Sequence, residues 1–383
     1  MTAHLHAIGW DDPRCIGPLR AALTQWRTMR GTDYAISTRP LTAFNDQPLG
    51  ELAAQCDLMI IDHPHIFAAA REGAVVPLDV YVEPAVLAEI EADAIGANYR
   101  CYVVDGHPYA LHADAACHVS AARDSRLRAI GAARPTSIAE TIALARAHPG
   151  AVAWPLYPTD AICSLLSILA GRDAGPGESG PFFRDPAFAA EAIEQMLALA
   201  ALMEPFCWEA TPQRVFAEAA TRPIAYVPFC FSYLRLALEA DGWRMAAPPT
   251  PAGSILGGAG IAVSARSQHV EEAAAFAAWY CQPQVLAGLV EAGAQPGSEF
   301  AWTRNSGAAA GFFADVLPVL RAAWVRPQTG WWPAAQIATG EVLAEGLRER
   351  WPAHRIITAI ERAYAASREN DDSMNGEKDV ARA

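Results

Sequence analysis

The sequence predicts an α/β protein, and three observations carry that prediction. Short apolar runs of strand length alternate with amphipathic helical stretches over the first hundred residues. The same alternation returns in the middle of the chain. The strand-like runs end abruptly in polar residues, as strands feeding a ligand-binding edge do.

The elements can be read in order. The run LHAIGW is the first strand, and it ends in the polar stretch Asp11-Asp12-Pro13-Arg14. A helical pattern follows and stops at Gly31. DYAISTRPL gives a second strand. CDLMIIDHPH gives the third and clearest one, broken by Asp62-His63-Pro64-His65. This βαβαβ rhythm predicts a parallel sheet with helices on both faces. Further on, Thr136 or Ser137 is placed to cap a helix, and AVAWPLYPTD reads as a strand running into a helix that Gly171 closes. Helices are expected near 186–203 and 211–221. PIAYVPFCFSY and GAGIAVSA read as strands, and VEEAAAFAAWYCQ as an Ala-rich helix. The last third is mostly helical. From Ser367 the chain turns polar and aperiodic, which predicts a disordered tail over 367–383.

Bulk composition removes several function classes. With 52% hydrophobic and 19% charged residues the chain can bury a large core. A net charge of -13 without any basic run argues against a nucleic-acid partner. No stretch of about 18 apolar residues predicts a membrane span. Cys15, Cys56, Cys101, Cys117, Cys163, Cys207, Cys230 and Cys281 are evenly spread and mostly in apolar surroundings. They read as free buried thiols suited to a reducing compartment, with no disulfide expected. The opening MTAHLHAIGWDDPR shows no export signal. As written the chain therefore reads as cytoplasmic; a trimmed signal would place it in the periplasm or outside the cell. A monomer is expected.

Four segments, in order, resemble the family 1 extracellular solute-binding proteins, the sugar-type receptors of ABC importers. They are HAIGWDDPR; CDLMIIDHPHIFAAAREGAVVPLD; DGHPYALHADAACHVSAAR; and PIAYVPFCF with ILGGAGIAVSARSQHVEEAAAFAAWYCQPQVLAGLVEAGAQPG. The likeness extends over roughly residues 4–365. It implies a two-lobed, periplasmic-binding-protein-like (type II) α/β fold with a ligand cleft between the lobes, closing by hinge bending. Residues 1–111 with about 260–320 would form lobe 1, and 112–259 with about 321–366 lobe 2. An ABC permease is the implied partner of an exported form. The chain departs from the pattern at His112, where the family usually has proline.

No catalytic signature is present: GxSxG, HExxH, a P-loop and a strand-coupled GxGxxG are all missing. The GGAG at 257–260 reads as close backbone packing where a strand recrosses. Candidate ligand residues come from strand ends and the crossing. Trp10, Asp11, Asp62, His63 and His65 end first-lobe strands, although Asp62 could equally cap the next helix. His112 and Asp114 lie on the crossing beside Cys117 and His118. Trp154, Tyr157 and Asp160 offer an aromatic platform next to a carboxylate, with core packing and an N-cap as the rival reading. Tyr226, Phe229, Trp324 and Arg326 could complete the cleft, with Trp331 and Trp332 behind; Arg326 would fork a carboxylate well. The spacing of His112, Asp114, Cys117 and His118 fits no zinc pattern, so neither metal nor cofactor is expected. The expected function is binding of a small polar ligand, sugar-like or an organic acid. The rival is a cytosolic enzyme on the same fold, using His112, His63, Asp62 and Asp114, with His65 and His118 in reserve, for acid–base work.

Overall fold

A computed structural model describes residues 4–47, 49–239, 242–250 and 253–382, with the backbone alone at 42, 45–46 and 370–382. Two sheets organise it. The first contains β1 (His4–Trp10), β2 (Asp33–Arg39), β3 (Leu58–Asp62), β4 (Ala110–His112) and a late strand, β9 (Ala259–Val263), in the order β2-β1-β3-β9-β4. β1 runs parallel to β2 and β3, whereas β9 is antiparallel to both β3 and β4. The second sheet holds β5 (Ala116–Ala122), β6 (Tyr226–Phe231), β7 (Arg244–Ala246) and β8 (Leu256–Gly257), all paired antiparallel to β5.

The local signals in the sequence act where expected. Helix α1 (Pro13–Arg30) begins where the Asp12 carboxylate accepts from the Arg14 N–H at 2.8 Å, with Pro13 in its first turn. It stops at Gly31, which sits at φ 74°, where a Cβ would be strained. Strand β3 is buried along its whole length, as strands covered on both faces are. Its side chains alternate: Leu58 and Ile60 join the cluster under α1 and α4 (Val270–Tyr280), while Met59 and Ile61 join the larger core behind.

The chain crosses between the sheets twice in close succession of space, not of sequence. It leaves β4 at His112 and enters β5 at Ala116. It returns from β8 to β9 through Gly258 alone. The two crossings are bonded to each other: Asp114 N–H donates to the Ala259 carbonyl at 2.9 Å, and Ala259 N–H to the Asp114 carbonyl at 3.1 Å. Gly258 has φ 111°, and a Cβ there would run into the Asp114 carbonyl and Ala115. The GGAG stretch is thus explained by close backbone approach.

Three expectations are corrected. The second sheet does not repeat the parallel rhythm, and AVAWPLYPTD contributes only a single bridge, Val152 to Tyr226, before it loops into α2 (Pro158–Ala170). Helix α5 (Ala310–Arg321) packs on β5 and β7 of the second sheet, so the chain is back in that lobe ahead of the boundary expected near 320. Two long helices follow, α6 (Trp332–Arg348) and α7 (Ala353–Arg382), packed on each other and on the second lobe's α2 and α3 (Pro186–Ala200). The expected disordered tail from Ser367 is instead the continuation of α7. That stretch contains no proline, and Arg368 ties it down by donating to the Gly180 carbonyl at 2.8 Å and lying over the Trp331 ring. Residue 383 lies outside the described residues.

The interlobe cleft as candidate binding site

The polar ends of the first-lobe strands face the second lobe across a crevice whose empty space, open mouth included, is about 660 Å³. Trp10 at the end of β1 forms one wall, stacked at a tilt on Phe44 with ring centroids 4.7 Å apart. Asp62 at the end of β3 and Asp114 on the crossing supply carboxylates, and the bare backbone of Gly257-Gly258 forms part of the floor. From the second lobe come Thr159 and Asp160 in the first turn of α2, together with Phe231 and Tyr233 at the end of β6.

Two arginines line the crevice, and both are already engaged. Arg14 grips Asp114 bidentately, Nε to Oδ2 at 2.7 Å and Nη2 to Oδ1 at 2.5 Å, and Nη1 donates to the Ser232 carbonyl at 2.8 Å. Arg326 donates through Nη2 to Asp62, 3.2 Å from Oδ1, and through Nη1 to Gln336 Oε1 at 2.9 Å. Burial pushes the Asp62 carboxyl up, but Arg326, with His63 and His65 nearby, holds it well below the usual carboxylate range. Asp62 makes no side-chain cap bond to the helical turn that follows, so its partner is Arg326 and the N-cap reading fails.

Of the residues expected from sequence, the structure brings Trp10, Asp62, Asp114, Asp160 and Arg326 to the crevice. The rest lie elsewhere. Asp11 is exposed, with its N–H on the Arg39 carbonyl. His63 and His65 are buried in the turn after β3, where the His63 Nδ1 stands 3.3 Å from Arg326 Nη2. His112 is completely buried, edge-on to Tyr99 and pressed against Gly297. His118 is equally buried and pairs with Ser167 Oγ at 2.9 Å, and Cys117 beside it is a core thiol. Trp154 is a core residue, its Nε1 donating to Ser164 Oγ at 3.0 Å. Tyr157 is half-buried outside the crevice, and Tyr226 is buried with its hydroxyl donating to the Pro135 carbonyl at 3.3 Å. Phe229, Trp331 and Trp332 pack in the core, and Trp324 rests on Gly175. Among the described residues no histidine lines the crevice, and no group of three or more His, Cys, Asp or Glu is placed to hold a metal ion.

Sequence reasoning missed Arg14, Phe44, Phe231 and Tyr233. Arg14 was within reach: the rule that ligands gather at strand carboxyl ends extends to the first turn of the next helix. Tyr233 follows the end of β6 in the same way. Phe44 carries no local signal, since it comes from a short helix after β2.

Two lobes, two antiparallel-bonded crossings and an aromatic and carboxylate-lined crevice between them define a two-lobed, periplasmic-binding-protein-like α/β fold. The chain belongs to the family described as bacterial extracellular solute-binding protein, whose model matches residues 46–297, more than half its length. No curated protein matches it in sequence. Solved structures match its fold throughout. A Thermotoga lettingae ABC-transporter solute-binding protein bound with α-D-tagatose is 14% identical at a TM-score of 0.82, covering 96% of this chain and 100% of that one. The maltose-bound MalE3 of T. maritima is 15% identical at 0.79, covering 95% and 99%. A solute-binding protein of Agrobacterium vitis with bound D-mannitol is 15% identical at 0.75, covering 97% and 99%.

Proposed function

We propose that this chain is a binding receptor for an uncharged, hydroxyl-rich molecule of sugar or polyol type, delivered to an ABC permease. The observation that carries this reading is the pairing of both crevice arginines. Arg14 is neutralised by Asp114 and Arg326 by Asp62. The lining thus holds two guanidiniums against three carboxylates, Asp62, Asp114 and Asp160. An organic acid would find no guanidinium without a carboxylate on it. A polyhydroxylated ligand finds carboxylate acceptors for its hydroxyls and the faces of Trp10, Phe44, Phe231 and Tyr233 for its C–H surfaces. Sugars and polyols named with the similar structures support the same class.

The enzymatic alternative loses its histidines, because His63, His65, His112 and His118 all sit behind the cleft walls, and the two carboxylates it keeps in the cleft, Asp62 and Asp114, are ion-paired to Arg326 and Arg14. Localisation is read from the family rather than from the cysteines. All eight thiols are buried and unpaired, so they would survive an oxidising compartment as readily as a reducing one. Among the described residues no helix is long and apolar enough to cross a membrane.

The test is a thermal-shift and calorimetric screen with pentitols, hexitols, mono- and disaccharides on one side and dicarboxylates on the other. Ligands that bind only the folded chain raise its melting temperature by mass action. Stabilisation by the neutral set alone is expected; stabilisation by dicarboxylates alone overturns the reading.

A further inference from the structure

Tyr233 borders two hollows of the interlobe space. On one side its ring lines the crevice of about 660 Å³, and on the other a second hollow of about 960 Å³. Arg14 borders both spaces as well, but its guanidinium is fixed by three hydrogen bonds to Asp114 and the Ser232 carbonyl. Tyr233 is held more lightly. Its hydroxyl accepts one hydrogen bond, from Gln213 Nε2 at 2.9 Å, and its ring lies 5.3 Å from the Arg14 guanidinium carbon. It stands between the end of β6 and the next short helix, at an extended backbone geometry.

The second hollow has the chemistry to continue a sugar site. Phe216 offers an apolar face, and Asp12 and Glu239 offer acceptors. Gln213 adds a side-chain carbonyl that is buried and has no hydrogen-bond partner. Its walls come from both lobes, Asp12 and Gly293 from the first and Gln213 to Glu239 from the second.

We infer that Tyr233 sets the length of ligand this receptor accepts: in place, it confines the ligand to a single sugar or polyol unit, and without its ring the two compartments join into a cleft for a disaccharide. The inference rests on the sugar or polyol reading above.

Calorimetric titration of the full chain separates the two. The probes are ribitol, D-mannitol and D-tagatose as single units, with maltose and maltotriose as longer ones. The wild type is expected to prefer its best single-unit probe over maltose. Tyr233→Ala should raise maltose affinity by about tenfold or more. Tyr233→Leu, which keeps an apolar side chain against Phe216, should show the same gain and covers the case in which the alanine variant misfolds. A wild type that binds a single-unit probe while both variants keep the original preference overturns the partition and leaves the sugar reading intact. A wild type that binds maltotriose as tightly as the single units also overturns the partition. A wild type that binds none of the five overturns the sugar reading and this inference with it.

Discussion

Arg326 and Asp62 meet across the back of the cleft, 264 residues apart in sequence, with Nη2 of the arginine 3.2 Å from Oδ1 of the aspartate. Asp62 ends β3 of the first sheet. Arg326 belongs to a segment fastened to the second lobe, where the Trp324 carbonyl accepts from Leu256 N–H and Trp324 N–H donates to the Ser254 carbonyl. The pair is therefore a tie between lobes, and Arg14 makes a second one through Asp114 and Ser232. Both arginines are nearly inaccessible, so each carboxylate partner depends on them for its charge.

Breaking one tie on one side should be costly. Arg326→Met leaves Asp62 buried without a counter-charge and is expected to destabilise the chain by about 3–5 kcal/mol. The double variant Arg326→Met with Asp62→Leu removes both charges and should recover most of that loss. Urea denaturation of the two variants checks this; a double variant no more stable than the single one would show that the pair is not coupled.

How much of this was legible in the sequence depends on which physical rule each residue obeys. Strand β3 was plain because a strand buried on both faces is a continuous apolar run. Gly31 and the crossing glycines were plain because their roles are backbone roles. Asp62 and Asp114 were found through the strand-end rule, but their partners were not, since an ion pair between residues 264 positions apart leaves no local trace. Trp154 was misplaced for a related reason. Its segment was read as a strand end, whereas it makes only one bridge to the second sheet, a parallel one from Val152 to Tyr226, and Trp154 turns into the core beyond it. The histidines were misread because exposure cannot be inferred from polarity: His112 occupies an apolar niche against Tyr99 and Gly297.

Those histidines make a pH prediction. Burial holds His63 and His112 down to about 4 and His118 to about 3. Above the ordinary histidine value near 6.5 all three are neutral in both folded and unfolded chain, and they contribute nothing to pH dependence. Below it the unfolded chain takes up protons that the folded chain refuses. Stability should therefore fall as pH drops from about 6.5 to 4, by up to about 1.4 kcal/mol per pH unit for each histidine. Asp62 acts in a lower window: its depressed carboxyl contributes stability above the normal aspartate range, which is lost only as pH falls through its folded value. His112→Leu, which places an apolar side chain in that niche, should flatten the slope between pH 6.5 and 4. Melting temperature against pH for both proteins decides it; parallel curves would mean His112 titrates normally.

The cysteines are expected to be silent until the chain unfolds. All eight are buried and unpaired, and burial pushes the thiols of Cys56, Cys117 and Cys163 up to about 12. A thiol that does not ionise is a poor nucleophile. Titration with an aromatic disulfide reagent at pH 8 should register fewer than about one thiol in the native protein, and eight after unfolding. A shortfall after unfolding, in protein purified without reductant, would reveal a disulfide that the described structure does not contain.

Trp10 and Trp154 should separate binding from stability. Both were candidate ligand residues, and both are buried, but for different reasons. Trp10 is buried at the cleft wall, its ring tilted on Phe44, and it lines the crevice together with Asp62 and Arg14. Trp154 has no exposed surface, is hydrogen-bonded to Ser164 and packs on Phe229 with centroids 5.9 Å apart. Trp10→Ala is expected to weaken binding of the best sugar or polyol by about 1–3 kcal/mol through the lost aromatic face. Trp154→Ala is expected to cost about 3–5 kcal/mol of stability by opening a cavity, while the fraction that stays folded keeps its affinity. Calorimetry and thermal melts on both variants give two numbers each, and the expected pattern is crossed. A Trp154→Ala protein that melts normally but has lost its ligand would put the platform in the second lobe after all.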